Sequence, residues 1–115
     1  MKECQNEHLT VYIVLCTLKG CCVVFVWDER KNKANRKKHG ISFEEAVCVF
    51  NDEKLLEIYD PEHSNTDEDR WYALGSIGIL IVVVFTIRND SIRIISARKA
   101  TTGEKNEYYK DYDLR

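Results

Sequence analysis

The residues whose side chains could take part in chemistry lie between Arg70 and Ala100, within long β-branched runs. Two of these runs meet at Asn89-Asp90, and a third joins them through Gly75 to Gly78, which predicts three antiparallel strands. With a two-residue turn and an even-length loop, cross-strand pairing places four polar side chains on one otherwise apolar face: Arg70, Tyr72, Ser96 and Arg98. A cation on an apolar face destabilises the fold unless it forms an ion pair or binds a ligand.

This register also sets the pairs across the turn. Arg88 is expected opposite Ser91, Thr86 opposite Arg93 and Phe85 opposite Ile94. Farther along, Val83 is expected opposite Ser96, and Ile81 opposite Arg98. The remainder of the same face is then aliphatic or aromatic, and its members are Ile81, Val83, Phe85, Ile87, Ile92 and Ile94. The arginines, the tyrosine and the serine therefore interrupt one end of a hydrophobic surface.

The side chains available around this sheet are Arg, Lys, Tyr, Glu and one His. There is no Gly-rich phosphate loop, no G-x-S-x-G and no H-E-x-x-H, and the three histidines are too scattered for a metal site (His8, His39 and His63). This inventory suits metal-free RNA cleavage, in which the 2'-OH attacks its own phosphate. That reaction needs a base, an acid and cations that stabilise charge on phosphate oxygens. No metal or other cofactor is expected.

Composition indicates one globular domain. The 115 residues are 44% hydrophobic and 31% charged, with one proline. The net charge of -2 and the pI near 5.9 give no global signature of nucleic-acid binding, so any basic site must be local. Five cysteines without a C-x-x-C pair favour reduced packing thiols. The apolar runs Leu9 to Leu18 and Ile79 to Ile87 are shorter than a membrane span, which predicts a cytoplasmic protein without membrane contact.

The order of secondary structure predicts an α+β fold. Asp28 to His39 reads as a helix with Asp28 as N-cap and Gly40 after its end, and Ser42 with Glu45 has the spacing of a capping box. The second helix should bury a stripe at helical spacing: Phe43, Ala46, Val47 and Phe50. A strand over Lys54 to Tyr59, the three-strand meander and a helix opened by Thr101 and Glu104 follow. We expect a small antiparallel sheet of about four to five strands, two N-terminal helices and one C-terminal helix.

The first part of the chain has two interpretations. Residues 9 to 26 form either a β-hairpin or a poorly ordered extension followed by one strand. The first helix is the one concentrated positive surface, and it carries four candidate RNA-binding cations: Arg30, Lys33, Arg36 and Lys37. They form either a solvated helix face or a surface that follows phosphates or docks a partner.

Three segments resemble one protein family. They are FVWDERKNKANRKKHGISFEEAVCVF (25 to 50), DEDRWYALG (67 to 75) and the run from VVVFTIR through SIRIISARKAT to Tyr108. Together they resemble the BrnT family of bacterial type II toxins, with an extra segment 1–22 before a toxin domain at 23–112. The resemblance implies a RelE-like ribonuclease fold, RNA cleavage that arrests growth, and neutralisation by a BrnA-type antitoxin. DNA would be contacted only through that antitoxin, and a homodimer within the complex is a further expectation.

The resemblance also assigns a possible catalytic role to three arginines. Arg70, Arg88 and Arg98 match the family's E-x-R, T-x-R and S-A-R positions, and arginine can chelate phosphate through two parallel hydrogen bonds. The alternative for each is structural: Arg70 would pair with Glu68, Asp67 or Asp69, Arg98 with a helix carboxylate, and Arg88 would be a solvated hairpin residue. Tyr72 joins the four helix cations as a candidate RNA-binding residue.

The remaining catalytic candidates are His39, Glu104 and Tyr108. His39, in the family's K-H-G, is a general base or acid near neutral pH, or a positive charge at the helix C-terminus. Glu104 and Tyr108 share a helix face; Glu104 is also the capping partner of Thr101, and Tyr108 gives a phenolic proton, stacks on a base or simply packs. A competing function is a non-catalytic module that docks an acidic or DNA-binding partner through the basic helix.

Overall fold

The computed structural model describes residues 10–16, 22–62, 64, 68–88 and 90–113. The strands are Thr10–Cys16 (β1), Cys22–Asp28 (β2), Leu56–Asp60 (β3), Arg70–Ser76 (β4), Leu80–Arg88 (β5) and Ser91–Lys99 (β6). The helices are Glu29–His39 (α1), Phe43–Ala46 (α2) and Thr102–Asp113 (α3), with a 3-10 helix, Val47–Asn51, directly after α2. The predicted α+β fold is confirmed.

The sheet differs from the expected one in size and in one strand direction. Within the described residues it has six strands in the order β1-β2-β6-β5-β4-β3, where four to five were expected. β2 lies parallel to β6 and every other pair is antiparallel, so the sheet is mixed. A parallel neighbour needs a long connection, which the helices and three strands between β2 and β6 supply. β1 pairs with β2 along its whole length, and residues 17–21 between them lie outside the described residues.

Local capping signals set the ends of α1 and the start of α2. The Asp28 side chain accepts a hydrogen bond from the Arg30 N–H at 2.9 Å, and Gly40 follows α1 with φ 75°, a left-handed conformation suited to glycine. Both hydrogen bonds of the Ser42–Glu45 capping box are present. These parts of the prediction are confirmed.

The predicted apolar stripe of the second helix packs on the core, but Val49 joins it in the last turn. The α-helix ends at Ala46 and the chain tightens into the 3-10 helix, which has three residues per turn. As a result Val49 is fully buried, Phe50 is only partly buried and Cys48 is exposed, so Cys48 is not the packing thiol that was expected.

The two faces of the sheet have different neighbours. One face, which we call the helix-side face, packs against α2 and the 3-10 helix and holds the larger core: Phe25, Trp27, Ala73, Ile81, Val83, Phe85, Ile94 and Ala97. The other, which we call the open face, meets α3 at one end, where Leu74, Leu80 and Val82 pack with Tyr108. The rest of the open face is the surface available for a ligand.

A β-bulge changes the expected register of β6. Phe85 pairs with Ile94, but the next pair is Val84 with Ser96, so Ile95 is an extra residue in β6. The expected Val83–Ser96 and Ile81–Arg98 pairs are therefore wrong. Ser96 lies opposite Val84 and Arg98 opposite Val82, which moves both onto the open face.

The loop between β4 and β5 departs from the expected register as well. Ser76 pairs with Leu80, so the loop has the three residues 77–79 and its length is odd rather than even. Arg70, Tyr72 and Leu74 therefore pair with Thr86, Val84 and Val82 and move to the open face too. Each departure moves its residues from the expected face to the other one, so the four polar side chains do share a face. That face is the open face and not the more apolar helix-side face. The expected turn at Asn89-Asp90 includes Asn89, which lies outside the described residues.

A buried asparagine closes the edge of β6 after β2 has left it. The β2–β6 pairing spans Val24 to Val26, and farther along β6 the Asn35 amide of α1 pairs with the backbone of Ala97. Asn35 Nδ2 donates to the Ala97 carbonyl at 2.8 Å and Oδ1 accepts from the Ala97 N–H at 3.1 Å. Nδ2 also donates to the Ile41 carbonyl at 2.9 Å, so one side chain joins α1, β6 and the start of α2.

Replacing Asn35 with alanine should destabilise the fold strongly. It leaves the buried N–H and C=O of Ala97 without their partner, and each such group costs about 1–3 kcal/mol. We expect a loss of about 2–4 kcal/mol in the free energy of unfolding, measured by urea titration. Asn106→Ala makes the same chemical change at an exposed position of α3 and is the matched control. Equal losses in the two variants would contradict this role of Asn35.

Candidate functional site

The open face carries its polar groups in three successive rows across the strands. The first row, from β3 to β6, is Asp60, Arg70, Thr86 and Arg93. The second row is Ile58, Tyr72, Val84 and Ser96. The third row, next to α3, is Leu56, Leu74, Val82 and Arg98. Three arginines thus surround the Tyr72 and Ser96 positions.

Arg98 forms a two-pronged ion pair with Glu104 at the start of α3. Nη1 and Nη2 donate to Oε1 and Oε2 at 2.8 and 2.9 Å. The same carboxylate accepts the Thr101 N–H at 2.8 Å, and the Thr101 hydroxyl accepts the Glu104 N–H at 3.2 Å, which completes the predicted cap. Chiefly through the Arg98 hydrogen bonds, against a smaller effect of burial, the pKa of Glu104 is lowered to about 2. Glu104 is thus a poor proton acceptor, and Arg98 has the helix carboxylate as its structural partner.

Arg70 is held through its backbone rather than its side chain. Its N–H donates to the Ser64 hydroxyl at 2.8 Å. Within the described residues no carboxylate pairs with its guanidinium: Glu68 pairs with Arg88, and Asp69 accepts a hydrogen bond from Tyr59. The third expected partner, Asp67, lies outside the described residues. The partly buried Arg70 side chain is therefore available on the open face.

Arg88 lies apart from this group. It is exposed at the end of β5, and its Nε donates to Glu68 at 3.0 Å with a second, shorter contact from Nη2. An exposed ion pair of this kind contributes little to stability. The structure thus separates Arg88 from Tyr72, Ser96 and Arg98.

Tyr72 is tied to a buried carboxylate. A hydrogen bond with Asp60 is the main reason that its pKa is raised, burial adds to the effect, and the positive charge of Arg98 opposes it. Asp60 is 6% exposed and also accepts a hydrogen bond from the Glu62 N–H at 3.1 Å. The phenol of Tyr72 therefore stays protonated over a wider pH range than an ordinary tyrosine.

Tyr108 is directed away from the arginines. It is 6% exposed, and its hydroxyl donates to Asp52 Oδ2 at 2.5 Å. Asp52 also accepts the N–H groups of Lys54 and Ser76 at 2.9 and 2.8 Å. Burial by itself would raise the pKa of Asp52, but these hydrogen bonds, that of Tyr108 first, outweigh it and the pKa is lowered. The structure thus gives the Tyr108 hydroxyl a partner that holds α3 against the loops beside β3 and β4.

His39 and the α1 cations occupy different places. His39 lines a surface cleft together with Arg98, and the other lining residues are Lys38, Lys99 and Thr101. The four candidate RNA-binding cations of α1 are all exposed: Arg30, Lys33, Arg36 and Lys37. Because Asn35 pairs with the backbone of Ala97, α1 and these cations lie beside the β6 edge of the sheet.

Three residues of the site had no place among the sequence candidates: Thr86, Arg93 and Asp60. The expected register pairs Thr86 with Arg93, as observed, but places them on the face opposite Arg70 and Arg98. Asp60 lies one residue beyond the strand expected over Lys54 to Tyr59, whereas it is the last residue of β3 and lies beside Arg70.

Two features are absent from the described residues. No group of three or more His, Cys, Asp or Glu side chains is placed to hold a metal ion. No helix among them is long and apolar enough to cross a membrane. His8 and His63 lie outside the described residues.

Comparisons with known proteins agree with this architecture. The model of the family described as "Ribonuclease toxin, BrnT, of type II toxin-antitoxin system" matches residues 27–104. The 1.1 Å crystal structure of the Brucella abortus ribonuclease toxin BrnT is similar, with a TM-score of 0.50 and 29% sequence identity over 66% of this chain and 94% of that one. Among curated proteins none matches. Because the family model matches more than half of its residues, the chain belongs to the BrnT ribonuclease toxins of type II toxin-antitoxin systems.

Proposed function

We propose that the chain is an endoribonuclease that binds single-stranded RNA on its open face and cleaves it without a metal ion. The observation that carries this proposal is the register that brings Arg70, Tyr72, Ser96 and Arg98 to the one sheet face that α2 and the 3-10 helix leave uncovered. The scissile phosphate would lie over the row of Tyr72 and Ser96, with Arg70 on one side and Arg98 on the other. Arginine side chains are long enough to reach this middle row from the rows that flank it.

The proposed chemistry is transfer of the phosphate to the neighbouring 2'-oxygen. The 2'-OH attacks phosphorus, the bond from phosphorus to the 5'-oxygen breaks, and the products are a 2',3'-cyclic phosphate and a 5'-OH. The proton of the 2'-OH goes to a base, and the leaving oxygen receives a proton from an acid. Tyr72, whose position lies in the row beneath the scissile phosphate, is the proposed acid. His39, beside Arg98 in one cleft, is the proposed base because an imidazole nitrogen can accept a proton.

The arginines would supply electrostatic stabilisation. The transition state carries more negative charge on the phosphate oxygens than the bound RNA does, so a guanidinium already in place stabilises it preferentially. Arg98 uses Nη1 and Nη2 on Glu104, and Nη1 also donates to the Lys99 carbonyl at 3.2 Å. The Nε–H and the second N–H of Nη2 remain for a phosphate. Glu104 is thus a positioning residue for Arg98, and Tyr108 positions α3 through Asp52.

The second surface, α1, suits a partner protein. We propose that a BrnA-type antitoxin neutralises the toxin, that growth arrest follows when it is absent, and that DNA is reached only through the antitoxin. The exposed cations of α1 lie beside the β6 edge of the sheet, so a partner could dock there by charge complementarity. The same observation favours the second candidate function, a non-catalytic docking module, which would keep this binding and lack RNA cleavage.

Replacing Arg70 or Arg98 with alanine should abolish cleavage. We expect the rate to fall on the order of 100-fold or more, because one preorganised donor to the developing charge is removed. The measurement is cleavage of a labelled RNA in the presence of chelator, with folding checked by circular dichroism. Lysine at either position should restore only part of the rate, since it cannot chelate phosphate.

Lys110→Ala removes an exposed cation of α3 and is the control for charge alone. If the arginines have only a structural role, the alanine variants would behave differently. The melting temperature would fall by several degrees, and the folded protein would cleave RNA normally. A wild-type chain that binds antitoxin but leaves RNA intact would favour the docking module.

Stability should depend on pH through Glu104. Its pKa is about 2 in the folded protein against an ordinary value of 4.5, so the stabilisation is complete above about pH 4.5 and is lost as pH falls towards 2. With a discount for partial exposure, Glu104→Gln should cost about 1–2 kcal/mol at pH 7 and almost nothing near pH 2. Urea titrations across this range measure the difference. The control is Glu107→Gln, which affects an exposed pair with Lys110 and should change the free energy of unfolding only slightly, without this pH dependence. If the cost of Glu104→Gln does not change with pH, the ion pair is not its cause.

Charge reversal on α1 should weaken antitoxin binding without loss of stability. Lys33, Arg36 and Lys37 are exposed, so changing all three to Glu replaces attraction to an acidic surface by repulsion. Calorimetry with the co-expressed antitoxin should show lower affinity. The control changes Lys105 and Lys110, on α3, in the same way. Unchanged affinity of the triple variant would place the interface elsewhere.

A further inference from the structure

The first row of the open face combines two arginines with a buried threonine. Arg70 and Arg93 lie on either side of Thr86 in neighbouring strands, and we call these three residues the threonine row. Adjacent strands are about 4.8 Å apart, so the Cα atoms of the two arginines are about 10 Å from each other. Long side chains at that spacing can converge on one small anion above Thr86.

The hydroxyl of Thr86 has an unmet hydrogen-bonding requirement. Thr86 is 0% exposed, and its Oγ1 has no hydrogen-bond partner within the described chain. Such a group costs about 1–3 kcal/mol, and native proteins seldom leave one without a reason. The flanking guanidinium groups carry donors only and cannot accept its proton. The row therefore lacks an acceptor.

The two guanidinium groups of this row are not neutralised in the way of the other strand arginines. Arg98 pairs with Glu104 and Arg88 with Glu68, whereas no described carboxylate forms an ion pair with Arg70 or Arg93. The acid nearest to the threonine row is Asp60, beside Arg70 on β3, and its carboxylate is engaged by Tyr72 and by the Glu62 N–H. Two positive charges and a hydroxyl donor without an acceptor are what a phosphate would satisfy. Because Thr86 has no exposed surface, the side chains above it must move aside for the phosphate to reach its hydroxyl.

We propose that the threonine row binds a second phosphate of the RNA backbone, next to the scissile one. The inference rests on the ribonuclease function proposed above and adds Arg93 and Thr86 to it as binding residues. The row is two residues from the row of Tyr72 and Ser96, a shift of about 7 Å along the strands, so it holds a different phosphate. Arg70 borders both rows, whereas Arg93 and Thr86 serve the second phosphate alone.

The first test uses an RNA that cannot be cleaved. A labelled single-stranded oligonucleotide with 2'-O-methyl groups throughout lacks the nucleophile, so fluorescence anisotropy reports binding only. Arg93→Gln should weaken binding about 5- to 10-fold at low salt and lower the slope of log affinity against log salt by about 0.7, the contribution of one phosphate to a single strand. Lys110→Gln removes the same charge from α3 and should change neither quantity. Equal behaviour of the two variants would overturn the proposal.

The second test separates binding from stability at Thr86. Thr86→Val replaces an unpartnered hydroxyl by a methyl group of the same shape, so the melting temperature should rise by a few degrees while affinity for the oligonucleotide falls. Thr86→Ser keeps the hydroxyl and loses the methyl, so the melting temperature should fall while affinity is retained. A purely structural threonine would change the melting temperature and leave affinity unchanged in both variants, and that outcome would overturn the assignment.

Cleavage assays distinguish failure of this inference from failure of the proposed function. With ordinary RNA, Arg93→Gln should raise KM several-fold and leave kcat nearly unchanged, whereas Arg98→Ala should lower kcat. If the wild-type chain binds and cleaves RNA but Arg93→Gln behaves as wild type, only the second phosphate site is lost. If the wild-type chain neither binds nor cleaves RNA, both proposals fall. Weaker antitoxin binding by Arg93→Gln with unchanged RNA binding would assign the row to the protein partner instead.

Discussion

The arrangement of the candidate site depends on the pairing of one asparagine side chain with the backbone of one alanine. β2 leaves the sheet after Asp28 to begin α1, so the far half of β6 would otherwise present unpaired N–H and C=O groups. Asn35 satisfies both groups of Ala97 and so holds α1 against this half of the strand. Since Ala97 faces the core, the next residue, Arg98, must face the other way. The position of the arginine thus follows from a buried amide.

The motif that identifies the family is, in this structure, mostly architectural. Asn32 and Asn35 are the two buried residues of α1, and the Asn32 side chain accepts the Phe43 N–H at 2.8 Å and donates to Glu44 at 2.9 Å. Asp28 and the Ser42–Glu45 pair are caps. The cation between the asparagines, Lys33, is exposed. A long and specific sequence signature therefore marks how two helices are joined to a sheet, whereas the groups proposed to bind RNA are dispersed over β4, β5 and β6.

The arginines on the strands have different electrostatic surroundings, and this difference separates their roles. A guanidinium that already has a two-pronged carboxylate partner is fixed in direction, as Arg98 is by Glu104. Arg70 and Arg93, without such partners in the described chain, keep their charge available on the open face. A surface with one positioned cation and two available ones suits a polyanion that must be both held and oriented. The same charges would be a cost to the fold if no anion were bound.

The sequence by itself determined the α+β class, the ends of α1, both capping boxes and the family, because these depend on residues close together in the chain or on the family motif as a whole. It also indicated that Arg70, Tyr72, Ser96 and Arg98 share a face. Only the tertiary structure decided which face, because an extra residue in β6 and an odd loop after β4 each reverse the side chains that follow. Both features depend on how neighbouring strands pair, and one contact at β6, that of Asn35 with Ala97, joins residues 62 positions apart in the chain.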